Sequence, residues 1–438
     1  MTVARERLIL AGVPDDRVCL IGAGAAGLGT IEVLQRHGIA FDCFEQTDRV
    51  GGHWHTDYES LHLITSRDLS GFPGHPMPAH YPTYPSRDQM LEYLEQFAQK
   101  TGARGRVHFN VRVERIAPRG SVGRDGWTVE TSGDDARDYS GVIVCNGHLW
   151  NPNVPAYPGS FTGRQIHSGA YRSVDDIEGK RVLTVGAGNS GCDLAVDVAN
   201  ARLESTISMR HGQMFQPKAV FGRPRAEIGW LARLPVALNE RVARAMSDVV
   251  IGPAHAYRGL PEPVTRNLNE QPPVVNNLLP YWIQHGRIRV VPGISRLDGR
   301  RVHFVDGTSD EFDTILWATG FKVTLPFLDP DLIRWRNGVP FRTAGLTLPV
   351  GIENLYFVGL AAPRGPQLPV YSEQAELVVR MLRLGAATRS ALATRFAELE
   401  TPDDRIDIVR ALWRRQMQAA QKRLVALAAA ETRHLAVG

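Results

Sequence analysis

Apolar positions along the chain fall into short unbroken runs punctuated by glycine turns, and the arrangement occurs twice. Val18-Cys-Leu-Ile21 is too short for a helix and lacks the alternation of a half-exposed strand, which is the pattern of a strand covered on both faces. The run Gly22-Ala-Gly-Ala-Ala-Gly27 follows it and opens a helical stretch that stops at Gly38, a residue suited to the left-handed position beyond a helix end. IAFDCFE then supplies a second strand closing on Glu45, so residues 18–45 read as one βαβ unit. The segment from Tyr58 to Pro85 is rich in His, Pro and Tyr without a lasting period, which predicts a long ordered loop over a site. Residues 86–100 space Met90, Leu91, Leu94 and Phe97 for a helix, with Ser86 or Asp88 as the N-cap. VHFNVRVERI, WTVETS and GVIVCNG read as strands, the last ending a first lobe near Gly147.

From Arg181 the sequence RVLTVGAGNSGCDLAVDVA repeats strand, glycine turn and helix, and STISMR follows as a strand ending at Arg210. Residues 212–286 have an irregular pattern, many prolines and the aromatics Phe215, Phe221, Trp230, Tyr257, Tyr281 and Trp282, which predicts an insertion in the second lobe. RIRVVP, RVHFVD and DTILWATG complete that lobe, and NLYFVG with the helix-like SEQAELVVRMLRLG returns the chain to the first. The expected fold class is therefore α/β, with two dinucleotide-binding Rossmann-like domains, the second inserted into the first. An Ala-, Leu- and Arg-rich helical tail either packs on the surface or mediates self-association, for instance in a homodimer.

Composition changes this picture little. At 438 residues the chain exceeds the size at which one core stops growing, which agrees with two lobes. A net charge of +4 is too small and too dispersed for a nucleic-acid footprint, so no nucleic-acid partner is expected. The opening MTVARERLILAGVPDD carries charges on both sides of its apolar run and no small-residue cleavage site, so it does not read as a secretory signal. No stretch of 18 apolar residues occurs, and no membrane helix is expected. Cys19, Cys43, Cys145 and Cys192 stand singly in or beside apolar runs without a CxxC pair, which predicts buried thiols in a reducing cytoplasm. The spacing HWHTDYESLHL matches no metal-binding pattern, and no metal site is expected.

The glycine turns carry the candidate chemistry. In a GxGxxG turn the first glycine permits the bend, the second lets backbone approach a pyrophosphate, and the third allows close helix-to-strand packing, with the helix N-terminus facing the phosphate charge. Gly22, Gly24 and Gly27 form such a turn, and Glu45 stands where a carboxylate accepts both ribose hydroxyls of an adenosine. Gly186, Gly188 and Gly191 form the second, whose strand closes on Arg210-His211 in place of an acid. A guanidinium there clasps a 2′-phosphate that a carboxylate would repel, so NADP is preferred over NAD, the alternative being a merely solvated strand-end arginine.

Between the two units, Phe161-Thr-Gly163-Arg-Gln-Ile-His167-Ser-Gly-Ala-Tyr171 resembles the FxGxxxHxxx(F/Y) fingerprint of the flavin-containing monooxygenases. EQTDRVGGHW from Glu45 to Trp54 is similar to that family's FAD segment, and DTILWATGF from Asp313 to Phe321 to its late ATG(Y/F) motif. Ser208-Met-Arg210 and NLYFVG from Asn354 to Gly359 fit as well, so the likeness spans roughly residues 15–385. The resemblance implies FAD on residues 1–160 and 318–438, and NADP(H) on residues 161–317 with the insertion around 212–286. It implies FAD contacts from Gly22, Gly24, Ala26, Gly27, Glu45, Gln46, Gly52, His53, Trp54, His62 and Val113. For NADP(H) it implies Gly186, Gly188, Asn189, Ser190, Gly191, Arg210 and His211, with Ala318, Thr319 and Gly320 also at the cofactors. Chemistry rests mainly on the cofactors, with His167, Thr65 and Ser66 as candidate catalytic side chains, His167 in a positional role.

The implied reaction is NADPH- and O2-dependent insertion of one oxygen atom into nitrogen or sulfur of a small organic substrate, through a C4a-(hydro)peroxyflavin shielded from water. Baeyer–Villiger relatives carry Trp at the last fingerprint position, where this chain has Tyr171, and that favours the N- and S-oxygenating branch. A Baeyer–Villiger enzyme acting on ketones, an NADPH oxidase or flavin reductase, and a nucleotide-binding scaffold without turnover are the competing readings. The chain also departs from the family: the segment Leu63-Ile-Thr-Ser-Arg-Asp68 lacks the usual Asn beside the flavin and has Ile64 or Thr65 there.

Overall fold

The computed structural model describes residues 17–228, 234–267, 270–388 and 391–435. The opening sixteen residues and Trp230 lie outside them. Strand β1 (Val18–Ile21), helix α1 (Ala25–Arg36) and strand β2 (Phe41–Glu45) form the expected βαβ unit, with Gly38 at φ +67° just past the helix end. Helix α2 (Arg87–Lys100) starts at Ser86, whose hydroxyl accepts from Gln89 N while the Gln89 side chain accepts from Ser86 N, a reciprocal cap that settles the choice against Asp88. The run VHFNVRVERI is two strands: it breaks at Asn110, which has φ +59°, so that only β3 (Val107–Phe109) belongs to the first sheet. With β4 (Gly141–Val144) the first lobe is closed.

The fingerprint contains a strand that periodicity did not reveal, β5 (Arg164–His167). Strand β6 (Arg181–Val185), helix α3 (Asn189–Asn200) and strand β7 (Glu204–Ser208) repeat the opening unit, β7 ending at Ser208, two residues short of the expected Arg210. The insertion is more ordered than its composition suggests. It contains helix α4 (Val236–Val250) and a hairpin of Ala219–Val220 with Arg223–Pro224. Strands β8 (Ile288–Val291), β9 (Thr314–Trp317) and β10 (Leu355–Phe357) follow, then helices α5 (Leu368–Thr388) and α6 (Arg410–Leu435).

Two five-stranded sheets result, ordered β10-β4-β1-β2-β3 and β8-β7-β6-β9-β5, and every pairing in them is parallel. Covered on both faces, their strands send alternate residues into different cores. Val18, Leu20 and Cys43 join one apolar cluster, whereas Cys19, Ile21 and Phe44 join another. All four cysteines are buried and unbridged. The tail packs rather than projects: Trp413, Met417, Ala420, Leu424 and Ala428 recur along one stripe of α6 and enter the first cluster. Among the described residues no helix is long and apolar enough to cross a membrane.

Candidate functional site

Both glycine turns share one geometry. The first glycine has positive φ, +99° at Gly22 and +106° at Gly186, and a Cβ added there would meet the carbonyl of the adjacent strand's end, Cys145 O at 2.8 Å or Ala318 O at 2.4 Å. At the third glycine an added Cβ would lie 1.9 Å (Gly27) or 2.0 Å (Gly191) from the carbonyl oxygen of the first. Only hydrogen lets the helix start that close to its strand. The middle glycines, Gly24 and Gly188, are the N-caps of α1 and α3, and neither helix start has a side-chain cap. An added Cβ at Gly188 would meet nothing within 4 Å, so free backbone N–H groups face open space, which is what a pyrophosphate requires.

At the carboxyl ends of β1, β2 and β4 lies a cavity of ≈ 430 Å³. Gly22, Gly24 and Ala26 floor it. Glu45 stands at its rim, nearly buried, with Oε2 accepting from Ala23 N (2.8 Å) and Oε1 from Thr47 N (2.9 Å) and Thr47 Oγ1 (2.8 Å). These bonds fix the carboxylate and leave lone pairs for a ribose diol. Gln46, Gly52, His53 and Val113 also line it. His53 donates through Nδ1 to Asp57 Oδ2 at 2.7 Å and stacks on Trp54. His148, just past β4, lines the same space. Burial, and then the neighbouring His53, push its pKa down to about 4, so the imidazole is neutral at pH 7.

Residues of the fingerprint, Gly169 and Ala170, reach the cavity from the other lobe and line it together with Phe321 of the late ATGF segment. His167 holds these two segments together: its Nδ1 accepts from Gly169 N (3.1 Å), so Nε2 carries the proton and donates to Gly320 O (3.0 Å). Phe321 meets the imidazole edge-on at 5.0 Å between ring centres. Burial lowers the His167 pKa and keeps the ring in the neutral form that this donor and acceptor pattern needs. Thr319 Oγ1 donates to Asn153 O at 2.6 Å, and Asn153 N to Gly320 O at 3.0 Å, securing the crossing between lobes. His167→Ala is expected to lower stability by about 1–3 kcal/mol, because it leaves Gly169 N without its acceptor and takes one of two donors from Gly320 O, while leaving the flavin spectrum intact. Denaturant unfolding beside the visible spectrum checks both halves of that expectation.

The family described as flavin-binding monooxygenase-like matches residues 15–419. The chain is 30% identical over 386 residues to flavin-containing monooxygenase 5 of Oryctolagus cuniculus, covering 82% of this chain and 72% of the relative. It is 29% identical over 394 residues to dimethylaniline monooxygenase [N-oxide-forming] 2 of Macaca mulatta, covering 84% and 73% respectively. A solved double mutant of flavin monooxygenase from Stenotrophomonas maltophilia superposes with a TM-score of 0.66 at 25% identity, covering 84% of this chain and 98% of that one. The chain belongs to the flavin-binding monooxygenase-like family. It is thus an FAD-dependent, NADPH-using oxidoreductase of the monooxygenase kind.

Against this family frame, the residues expected at the site divide into three groups. Gly22, Gly24, Ala26, Glu45, Gln46, Gly52, His53 and Val113 line the cavity, with Gly27 packed directly behind it. Gly186, Gly188, Asn189, Ser190 and Gly191 gather at the start of α3, where Asn189 Oδ1 accepts from Val275 N at 2.9 Å, and Ala318 lies against Gly186. Arg210 and His211 are exposed beyond β7, and Arg210 makes no hydrogen bond or ion pair among the described residues. The third group lies elsewhere, and Trp54 falls in it, packed against the first apolar cluster and outside the cavity lining. Thr65 bonds Ser70 Oγ (2.8 Å), and Ser66, buried, precedes a four-residue helix, Arg67–Ser70, that turns this stretch away from the cavity lining. His62 contacts the Lys218 ammonium of the insertion instead of the cavity. His148 was missed by sequence reasoning, although its place just beyond the carboxyl end of a parallel strand is where such sheets put ligands. Among the described residues there is no cluster of metal-ligating side chains.

Proposed function

We propose that the protein inserts one oxygen atom of O2 into a nitrogen or sulfur of a small organic substrate, reducing the other to water at the expense of NADPH. Residues 1–160 and 318–438 carry FAD in the 430 Å³ cavity, and residues 161–317 carry NADP(H) at the start of α3. The observation that carries the reading is that the second lobe's Gly169 and Ala170 line the first lobe's cavity, which supports a nucleotide on the second lobe reaching the flavin site. When bound, the two cofactors supply hydride transfer and oxygen activation.

The chain's own residues bind, align and exclude water. The uncapped starts of α1 and α3 take the two pyrophosphates, Glu45 the adenosine ribose of FAD, and Arg210 with His211 the 2′-phosphate of NADPH. His167 holds the fingerprint against Gly320, and His53 together with the neutral His148 walls the flavin. Aromatic and apolar groups at the mouth, Trp150, Phe321 and Phe327 among them, displace water from the reacting end. Two points favour nitrogen or sulfur as acceptor: the resemblance puts Tyr171 where Baeyer–Villiger members of the family usually carry Trp, and a 29%-identical relative is named as N-oxide-forming. A cytoplasmic location goes with this reading and is supported by the four buried, unbridged thiols.

A panel of tertiary amines, thioethers, indoles and ketones assayed with NADPH tests the proposal. N- or S-oxide formed in near-equal amount to NADPH consumed is the expected result. Esters from the ketones alone, or peroxide as the only oxygen product, would replace it with the Baeyer–Villiger or the oxidase reading.

A further inference from the structure

The nucleotide helix α3 carries two carboxylates that the function above does not use. Asp193 and Asp197 lie one turn apart and therefore share a face of the helix. Both hold a segment that arrives from the first lobe. Tyr58 Oη donates to Asp193 Oδ2 at 3.0 Å, and Ser60 Oγ donates to Asp197 Oδ2 at 3.0 Å. Tyr171, the last fingerprint residue and fully buried, donates to the same Asp197 oxygen at 3.0 Å. Glu59 N donates to Arg172 O at 2.8 Å between them.

Apolar packing runs the same way. Tyr58 belongs to the cluster of Ile166, Tyr171, Val182, Leu194, Val198 and Leu316, and Leu61 packs against it, so a segment of first-lobe chain contributes to the second sheet's core. Immediately upstream, Thr56 and Asp57 line the flavin cavity, and Asp57 bonds His53, which lines it too. On the other side of Asp193, Asn276 Nδ2 donates to Oδ1 at 2.8 Å, and the preceding Val275 N holds Asn189 at the helix start. The wall of one cofactor cavity is thus joined to the seat of the other by a short series of hydrogen bonds, those to Asp193 and Asp197 made to carboxylates.

We infer that Asp193 and Asp197 are positioning residues that latch the 57–61 segment onto the nucleotide helix, fixing the spacing between the flavin cavity wall and the pyridine-nucleotide seat. Neither carboxylate touches a reacting atom. The latch rests on the reading that FAD occupies the cavity and NADP(H) the start of α3. Hydride transfer depends steeply on approach distance, and a misplacement of about 1 Å costs roughly 100-fold. Releasing the segment should therefore slow the transfer itself more than it weakens nucleotide binding. Thermal loosening of the segment should accompany it.

Tyr58→Phe removes one latch bond while keeping the ring in the core, and Ser60→Ala removes another at an exposed position where folding is not at risk. In the holoenzyme, Tyr58→Phe should lower the rate of flavin reduction at saturating NADPH by about 10-fold or more, with NADP+ affinity changed by less than about 3-fold. Ser60→Ala should act in the same direction and less strongly. Amide hydrogen exchange over residues 56–62, measured with NADP+ bound, should accelerate in both variants. An unchanged saturating reduction rate alongside faster exchange would reduce the latch to a purely structural contact and overturn the inference. A slower rate with unaltered exchange would overturn it as well, since the residues would then act by another route. If the wild-type protein itself holds no flavin, or NADPH does not bleach it, the failure lies in the underlying cofactor reading and is seen before any variant is made.

Discussion

Gly191→Ala is expected to leave a yellow protein that dithionite reduces normally and NADPH does not. A methyl group at 191 would stand 2.0 Å from Gly186 O and 2.8 Å from Gly186 C, both backbone atoms that no rotamer change can move. The helix must withdraw from β6 to make room, at a cost in stability of about 1–3 kcal/mol. The functional effect is larger, because the same withdrawal carries the N–H groups of the α3 start away from the pyrophosphate. A displacement on the order of 1 Å predicts at least a roughly 100-fold fall in NADPH-driven flavin reduction, followed by the loss of the flavin's visible absorbance in stopped flow. Flavin content should be unchanged, since the first turn lies in another sheet. Gly27→Ala supplies the mirror result: its Cβ would lie 1.9 Å from Gly22 O, and the purified protein should be colourless or fail to fold. Were Gly191→Ala reduced by NADPH at the normal rate, the second glycine turn would not be the nucleotide seat.

The two turns were legible in the sequence because each is local. A four- or five-residue apolar strand, three glycines at fixed spacing and a helix lie within thirty residues, and burial on both sheet faces makes the strand run continuous. What escaped was set by distant contacts or by polar composition. The strand Asp134–Tyr139 reads DDARDY and is a strand only because it pairs with Trp127–Thr131. The four-residue strand within the fingerprint owes its place to pairing with β9, roughly 150 residues away. Helix α4 sits among prolines that hid its period. At the site, spacing pointed to Gly22, Gly24 and Glu45, which do line the cavity, whereas Thr65, Ser66 and His62 rest only on nearness along the chain to GGHW and do not line it. The chain turns there, and the Arg67–Ser70 helix and the Lys218 contact decide their surroundings instead. Chain proximity to a cofactor motif is a weak guide once a Pro-rich loop intervenes.

Arg210→Ala should collapse the preference for NADPH over NADH. The guanidinium lies two residues beyond the end of β7, exposed, and makes no hydrogen bond or ion pair among the described residues, so no internal carboxylate competes for it. Gly293 lies alongside: a Cβ there would meet Arg210 Cγ at 3.0 Å, which leaves the stem of the side chain close against backbone and its head free for an anion. Loss of a bidentate charge-assisted pair to a phosphate costs about 2–5 kcal/mol, which predicts a fall in kcat/KM for NADPH of roughly 30- to 5,000-fold. NADH has no 2′-phosphate and should be used by the variant about as well as by the wild type. The loss should appear chiefly in KM, because the contact is made equally in the ground and transition states and lies at the far end of the nucleotide from the reacting carbon. Arg210→Lys separates charge from geometry, since an ammonium keeps the attraction without the fork and should recover part of the affinity. A variant whose NADPH to NADH ratio matched the wild type would return Arg210 to the surface as an ordinary solvated side chain and move the 2′-phosphate to another cation.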